Sequence, residues 1–144
     1  MKRTLLFCIV AIMTIASAFA QADKVVGTYK AVRNGVTSKV KVFKYNDGYR
    51  AQVIWVDNLK KEDGSIRLDE KNPDPAKWKL QADKIVLIDK VKFDGKDKWS
   101  GGKIYDPTSG KTFTVSLYFK DEKTLTVKGS IGILFQRMYW TKIQ

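Results

Sequence analysis

The feature that most constrains the fold is an alternation of apolar and polar residues, interrupted at short intervals by turn-forming residues. Along the segment 112–120, Phe113, Val115, Leu117 and Phe119 alternate with threonine, serine and lysine. A period of two places the apolar side chains on one face of a β-strand. In the segment 49–57 the same alternation puts Ala51, Val53 and Trp55 on one face. The chain is therefore expected to form sheet with one buried face and one wet face.

Turn signals divide the chain into short segments of this kind. Asn34-Gly35 is a strong two-residue hairpin signal, and Asn46-Asp47-Gly48 closes the next hairpin. We expect strands over residues 25–33, 36–45, 49–57, 85–93, 98–105, 112–120, 124–131 and 135–143. About eight strands is the number at which a barrel holds packed side chains or one small ligand. The prediction is an all-β fold, an antiparallel barrel of about eight strands.

Two segments depart from this rhythm. The long loop from Asn58 to Lys84 contains Asn72-Pro73-Asp74-Pro75, in which Asp74 is placed to cap a short helical turn that begins at Pro75. In Trp99-Ser100-Gly101-Gly102, two adjacent glycines weaken a strand interior. Such glycines indicate a bulge, a sharp barrel corner or a close approach of two backbones.

The N-terminus is typical of a signal peptide. Met1-Lys2-Arg3 precedes an apolar run that ends in the small residues Ala16, Ser17, Ala18 and Ala20. We expect cleavage after Ala20, so residues 1–20 are the signal and 21–144 form a single barrel domain in the periplasm or outside the cell. Cys8, the one cysteine of the sequence, lies in the segment to be removed. The exported protein then has no disulfide.

The chain is strongly basic. The chain carries 27 basic and 15 acidic residues, with a net charge of +12. Most of the cations are lysine, a strongly hydrated point charge, whereas dedicated phosphate or carboxylate clamps tend to use arginine. A solvated basic surface is the simplest interpretation. Attraction to lipid headgroups, polysaccharide or nucleic acid is the alternative.

The missing residue types restrict the chemistry. The sequence has no histidine, so catalysis by Ser-His-Asp or Cys-His is excluded, and zinc sites built from these residues are excluded with it. The acids around Asp63-Gly64 lack the alternating pattern of a calcium loop. We expect no metal, no cofactor and no catalytic residues, which favours a non-enzymatic protein. The candidates for acid–base work that remain are Asp57, Asp69, Asp74, Lys103, Tyr105 and Asp106, and their spacing does not show that any two converge.

Several motifs resemble a known family. They are Asn72-Pro73-Asp74, the block from Trp99-Ser100-Gly101-Gly102 through Ile104-Tyr105-Asp106-Pro107 to Gly110-Lys111, Leu125-x-Val127-x-Gly129 and Trp140-x-Lys142. This pattern resembles the small exported bacterial proteins of the domain of unknown function 2147 family. The resemblance implies a lipocalin-like barrel. In such barrels an early G-x-W strand packs near a basic residue of the last strand, and here Tyr29 and Lys142 would take those two places.

The resulting hypothesis is a non-enzymatic barrel of the cell envelope that binds a small apolar or anionic ligand. The predicted ligand-binding residues at its mouth are Trp55, Asn72, Asp74, Trp99 and Tyr105, with the long loop as a lid. The alternative is a basic surface-interaction protein that binds anionic envelope polymers or lipids. Specific nucleic-acid binding is disfavoured, because about eight strands exceed the five of an oligonucleotide-binding barrel. An integral membrane barrel is disfavoured because a polar lumen would have to hold many lysines without enough acids.

Overall fold

The alternating segments close into a barrel. In the computed structural model, which describes residues 16–144, each strand pairs antiparallel with the next, and the last strand pairs with the first. The strands are β1 (Gly27–Arg33), β2 (Val36–Tyr45), β3 (Gly48–Val56), β4 (Val86–Phe93), β5 (Lys98–Asp106), β6 (Lys111–Phe119), β7 (Thr124–Ile131) and β8 (Leu134–Lys142). The prediction of an antiparallel barrel of about eight strands is confirmed. Most of the expected signal peptide, including Cys8, lies outside the described residues.

The predicted strand limits agree with the structure to within one residue, except at the start of β1. Val25 ends a 3-10 turn over Asp23–Val25 instead of opening the strand. Its side chain is fully buried, and its carbonyl oxygen accepts a hydrogen bond of 2.8 Å from the Tyr29 hydroxyl. This bond folds the chain back over the end of the barrel, so pairing with β2 begins at Gly27.

One end of the barrel is closed by residues 22–25, which we call the plug. The Trp99 indole nitrogen donates to the Ala22 carbonyl oxygen at 3.0 Å, and the Tyr49 hydroxyl donates to the Asp23 carboxylate at 2.7 Å. The Lys142 ammonium donates to the Lys24 carbonyl oxygen at 2.8 Å and lies 5.9 Å from the centre of the Tyr29 ring. Tyr29 and Lys142 therefore lie together, as the resemblance implied. Burial, followed by repulsion from Lys24, lowers the pKa of Lys142.

The half of the barrel above the plug is solid. Large side chains from β1, β4, β5, β6 and β7 fill it, and each of them is 2% exposed or less. They are Tyr29, Ile88, Val91, Trp99, Leu117, Leu125 and Val127. Trp99 packs against Phe93 and Phe119, with ring centres 5.0 Å and 5.9 Å away. This aromatic cluster stabilises the closed end through its buried area.

The seam that closes the sheet is short. Within β1 and β8 only Tyr29 and Lys30 are paired, with Lys142 and Thr141 respectively. Backbone hydrogen bonds between Thr28 and residues 143 and 144 extend the seam toward the plug. The rest of β1 is not paired with β8, so the two strands are joined at the closed end and separate toward the opposite end, which we call the mouth. The hairpin turns at residues 34–35, 107–110 and 132–133 and the long loop of residues 57–85 surround the mouth.

The paired glycines of β5 form the predicted irregularity. The register between β5 and β6 shifts between Trp99 and Gly102, and Gly101 adopts a φ of +82°. A Cβ atom on Gly102 would overlap the Asp89 carbonyl oxygen and lie 2.7 Å from the Val91 amide nitrogen. The glycine therefore permits a close backbone approach between β4 and β5 at a bulge.

Replacing Gly102 with alanine should destabilise the barrel. Rigid backbone meets the added methyl group, so β4 and β5 must separate locally, at a cost of about 1–3 kcal/mol. The free energy of unfolding, measured by urea denaturation, is expected to fall by that amount. Ser100→Ala is the control, because Ser100 is exposed in the same strand and its replacement should change stability by less than about 0.5 kcal/mol. Equal stability of both variants would show that the close approach is not needed.

Candidate functional site

The interior of the barrel is open at the mouth. Two adjoining cavities of about 220 Å³ and about 340 Å³ lie there and share Arg33, Ile104, Tyr105, Asp106 and Met138 in their walls. The plug half is filled by large side chains, whereas small residues contribute to the walls of these cavities. The small residues are Ala31 and Ser38 in the larger cavity and Gly129 in the smaller one. The space is of the size and apolar character in which proteins hold small molecules.

A bidentate ion pair crosses the mouth. The two terminal nitrogens of Arg33 lie 3.1 Å from the two carboxylate oxygens of Asp106. Asp106 also accepts hydrogen bonds from the Thr108 amide, the Thr108 hydroxyl and, at 2.8 Å, the Ser109 hydroxyl. Burial by itself raises the pKa of Asp106, but the Thr108 and Ser109 hydrogen bonds and the charge of Arg33 outweigh it. The pKa therefore lies below its usual value.

A second arginine lies at the rim. Arg67 lines the larger cavity, and its Nε donates to the Asn58 carbonyl oxygen at 2.8 Å. Within residues 16–144 no carboxylate lies within ion-pair distance of it. Its terminal nitrogens remain available to an anionic group that enters the cavity.

A buried carboxylate is one of the groups that attach the long loop to the barrel wall. Asp69 is 2% exposed and accepts hydrogen bonds from the Tyr105 hydroxyl at 2.6 Å and the Asn72 side-chain amide at 2.7 Å. Burial raises the pKa of Tyr105 above its usual range. The hydrogen bond that Tyr105 donates to Asp69 and the negative charge of Asp69 raise this pKa further. Trp78 donates from its indole nitrogen to the Asn72 carbonyl oxygen at 2.7 Å. These contacts hold the loop beside the mouth.

The structure brings three of the five predicted ligand-binding residues together. Asn72, Asp74 and Tyr105 line a groove of about 530 Å³ between the long loop and the outer wall at β4 and β5. Asp74 caps the 3-10 turn Pro75–Lys77 by accepting from the Ala76 amide at 3.0 Å, as predicted. Tyr105 also contributes to both mouth cavities.

The two predicted tryptophans lie elsewhere. Trp99 is 2% exposed in the aromatic cluster of the closed end. Trp55 is 43% exposed on the outer wall, where the Lys39 ammonium lies 5.3 Å from the ring centre. The alternation placed Trp55 on the same face as Val53, but a bulge shifts the register there. Lys39 pairs with Trp55 while Val40 pairs with Val53, so Ile54 is the extra residue that turns Trp55 outward.

The remaining acid–base candidates are Asp57 and Lys103. The Asp57 carboxylate, just beyond β3, accepts from the Thr37 amide at 2.9 Å. Asp63, in the acidic segment without a calcium-loop pattern, accepts from the amide and hydroxyl of Ser65. Lys103 faces the outer groove. No group of three or more acidic, histidine or cysteine side chains within residues 16–144 is arranged to hold a metal ion. In the same part of the chain, no helix has the length and apolar character needed to cross a membrane.

The family assignment follows from the sequence of the barrel itself. The family model described as "Uncharacterized protein conserved in bacteria (DUF2147)" matches residues 27–142, from the first residue of β1 to the last residue of β8. The chain belongs to the DUF2147 family. A similar solved structure is that of protein HP1028 from the human pathogen Helicobacter pylori, which belongs to the lipocalin family. It superposes with a TM-score of 0.68 at 25% identity, over 83% of this chain and 82% of that chain. A search of curated proteins finds no significant match.

Some of the residues by which this DUF2147 protein resembles its family build the rim of the mouth, whereas Trp99, Leu125 and Lys142 belong to the closed end. Tyr105 and Asn72 bind Asp69, and Asp106 organises the turn after β5. Gly110 has a φ of +72°, and a Cβ atom there would overlap the Lys71 carbonyl oxygen, so the turn can press against the long loop. These motif residues therefore shape the turn and the loop beside the cavity.

Several cavity residues of the DUF2147 barrel were not among the predicted site residues. Arg33, Arg67, Ala31 and Met138 line the mouth but carry no local motif. One signal was available, because arginine is rare in this lysine-rich chain. Residue spacing does not reveal that Arg33 of β1 and Arg67 of the long loop line the same cavity.

Removing the Tyr105 hydroxyl should loosen the long loop. Tyr105→Phe leaves buried Asp69 without one of its two side-chain donors, which costs about 1–3 kcal/mol. Hydrogen exchange measured by mass spectrometry is expected to accelerate in residues 57–85 and to stay unchanged in β6 and β7. Tyr118→Phe is the control, because the Tyr118 hydroxyl makes an exposed contact with Arg137 on the outer wall. Unchanged exchange in the loop of Tyr105→Phe would contradict the attachment.

The Asp106 carboxylate should make the rim sensitive to acid. Because its pKa is lowered on folding, Asp106 contributes stability above its usual value of 3.8, and this contribution is lost as the pH falls through the lower folded value. Asp106→Asn should therefore be less stable than wild type at neutral pH, and the difference should shrink below pH 3.8. Thermal denaturation across this pH range measures it. A difference that does not depend on pH would contradict the assigned charge.

Proposed function

We propose that this protein binds a small, partly apolar molecule with an anionic group in the mouth half of its barrel. The observation that carries the proposal is the contrast between a solid closed end and two adjoining cavities at the other end. The lipocalin-like fold is compatible with such a role. No cofactor or reaction is needed for it.

The chemistry of the walls supports an amphiphilic ligand. Apolar side chains such as Ile85, Leu87, Ile104 and Met138 line the larger cavity, which favours an aliphatic or aromatic body. Arg67 at the rim has no acidic partner within the described residues, and its planar fork is suited to a carboxylate or phosphate. Asn34, Asn58 and Thr108 add neutral polar groups to the same rim.

We also propose that residues 1–20 are a signal peptide and that residues 21–144 act in the periplasm or outside the cell. Residues 16 to 21 are exposed, and the plug, which packs against the barrel core, begins at Ala22. Cleavage after Ala20 would thus leave the plug intact. N-terminal sequencing of the protein from an envelope fraction should find Gln21 first, and an intact N-terminus would contradict export by this route.

A second candidate partner is an anionic envelope surface. Strands β1, β2, β3, β6, β7 and β8 contain no aspartate or glutamate. Apart from Asp89 and Asp106, the acids lie in turns, in the long loop or in the plug. Six adjacent strands therefore carry only cations among their charged residues, which favours attraction to anionic polymers or lipids.

Decanoate, with decanol as the neutral comparison, is a suitable probe of the cavity. We expect Arg67→Gln to weaken decanoate binding about tenfold and to leave decanol binding unchanged, because one charge-assisted contact is lost. Ala31→Leu fills the cavity and should weaken both probes by at least about tenfold. Isothermal titration calorimetry measures each affinity.

Lys30→Leu is the matched control for the cavity-filling variant, since Lys30 precedes Ala31 in β1 and is exposed on the outer wall. It should bind both probes as wild type does. Native mass spectrometry of the purified protein tests the same proposal without a chosen probe. A wild-type protein that binds neither probe and carries no small molecule would overturn the proposed function.

A further inference from the structure

The hairpin between β7 and β8 exposes an unusual apolar surface. Its tip, residues 131–135, has the sequence Ile-Gly-Ile-Leu-Phe. Ile133 is 95% exposed, Leu134 69%, Ile131 60% and Phe135 53%. Contiguous exposed apolar residues of this kind mark contact sites for a partner or a membrane. Ile133 is not part of the barrel core or of the plug.

Cations stand directly behind the tip. Lys128 and Arg137 are paired across β7 and β8, and both lie over the Phe135 ring, 4.5 Å and 4.6 Å from its centre. Arg137 is two residues behind Phe135, which corresponds to about 7 Å along a strand. Strands β6, β7 and β8 carry no acid, and Asp106, the acid at the mouth end of β5, is paired with Arg33. The long loop at the mouth carries seven acids and seven cations, so it adds no net charge.

This arrangement matches the layers of an anionic lipid surface. Apolar groups of peripheral proteins enter about 5–10 Å into the boundary between headgroups and acyl chains. Basic residues one step behind such groups lie at the level of the phosphates and are attracted to them. A protein partner would need an acidic rim around an apolar pocket, whereas an anionic bilayer supplies both layers everywhere.

The tip is also a wall of the cavity. Ile131, Leu134 and Phe135 line the smaller cavity together with Met138. Beside them, β1 and β8 are paired only at the closed end, so the seam is unpaired toward the mouth. An apolar surface therefore continues from the exposed tip into the barrel.

We propose that the β7–β8 tip inserts into an anionic lipid surface and places the mouth of the barrel against the bilayer. The partner is the lipid bilayer itself, and the ligand of the proposed function passes between bilayer and cavity along the tip. This last step rests on the proposed function, whereas docking of the tip does not.

Sedimentation with vesicles tests the docking. The purified protein should bind vesicles of equimolar phosphatidylglycerol and phosphatidylcholine, and Ile133→Ser should weaken this binding about tenfold through loss of one inserted aliphatic side chain. The control is Ile143→Ser, an exposed isoleucine beyond β8 at the closed end, which should bind as wild type does. All variants share one N-terminus, so any lipid affinity of that segment is common to them.

A double variant tests the contribution of the two cations behind the tip. Replacing both Lys128 and Arg137 with glutamine should weaken binding to the anionic vesicles about tenfold or more, since each cation near such a surface contributes about 1 kcal/mol. Lys96→Gln, in the exposed turn at the closed end, is the control. Vesicles of phosphatidylcholine alone should bind wild type more weakly than anionic ones.

Three results would overturn the proposal. The first is that the wild-type protein does not bind anionic vesicles, and the second is that Ile133→Ser binds them as well as wild type does. The third is that sedimentation velocity shows a wild-type dimer which Ile133→Ser abolishes, while the wild-type protein does not bind vesicles. Ile133 does not line either mouth cavity, so decanoate binding in vesicle-free solution should be the same in Ile133→Ser and wild type. Failure of docking with intact decanoate binding therefore separates this proposal from the proposed function.

Discussion

Closure of the sheet by β1 and β8 is the constraint on which the rest of the structure depends. Only the ends of these strands near the plug are paired, so the seam relies on its surroundings. The Tyr29 hydroxyl and the Lys142 ammonium each hold a carbonyl group of the plug, and Trp99 holds a third from β5. These hydrogen bonds join the plug to β1, to β8 and to β5 in the middle of the sheet. Without them the open edges of β1 and β8 would be exposed.

The packed core lies at the closed end of the barrel, and the cavities lie at the mouth. The aromatic and aliphatic side chains of the plug half supply a buried core, and the upper half uses small residues beside Arg33 and Met138. The motif residues Asn72, Tyr105, Asp106 and Gly110 lie at this opening. Asp69, Tyr105 and Asp106 bind turns and the long loop, and they do so through charged hydrogen bonds that are strong when buried. Stability and cavity are thus assigned to different halves of one barrel.

The sequence predicts the strands well because hairpin turns and period-two patterns are local. Asn34-Gly35 and the alternation in β6 required no knowledge of the rest of the chain. The prediction of a ligand-binding cluster required knowing which side chains meet in the fold. Three of the five predicted residues lie together, and the two tryptophans lie elsewhere. Trp55 faces outward because Ile54 forms a bulge against β2, and no residue pattern announces that bulge. Arg67 reaches the mouth through the path of the long loop, which has little regular structure. Asn72 and Tyr105 were singled out by the family motif, and their contacts show that they position the loop.

The central claim is that the mouth half is a hollow that accepts a small amphiphile while the plug half stays solid. Methyl-group NMR during a titration with decanoate tests it most directly. We expect shifts at Ile85, Leu87, Ile104 and Met138, which line the mouth, and unchanged signals at Val91, Leu117, Leu125 and Val127. Shifts confined to the second group, or no shifts in either group at saturating decanoate, would contradict the account.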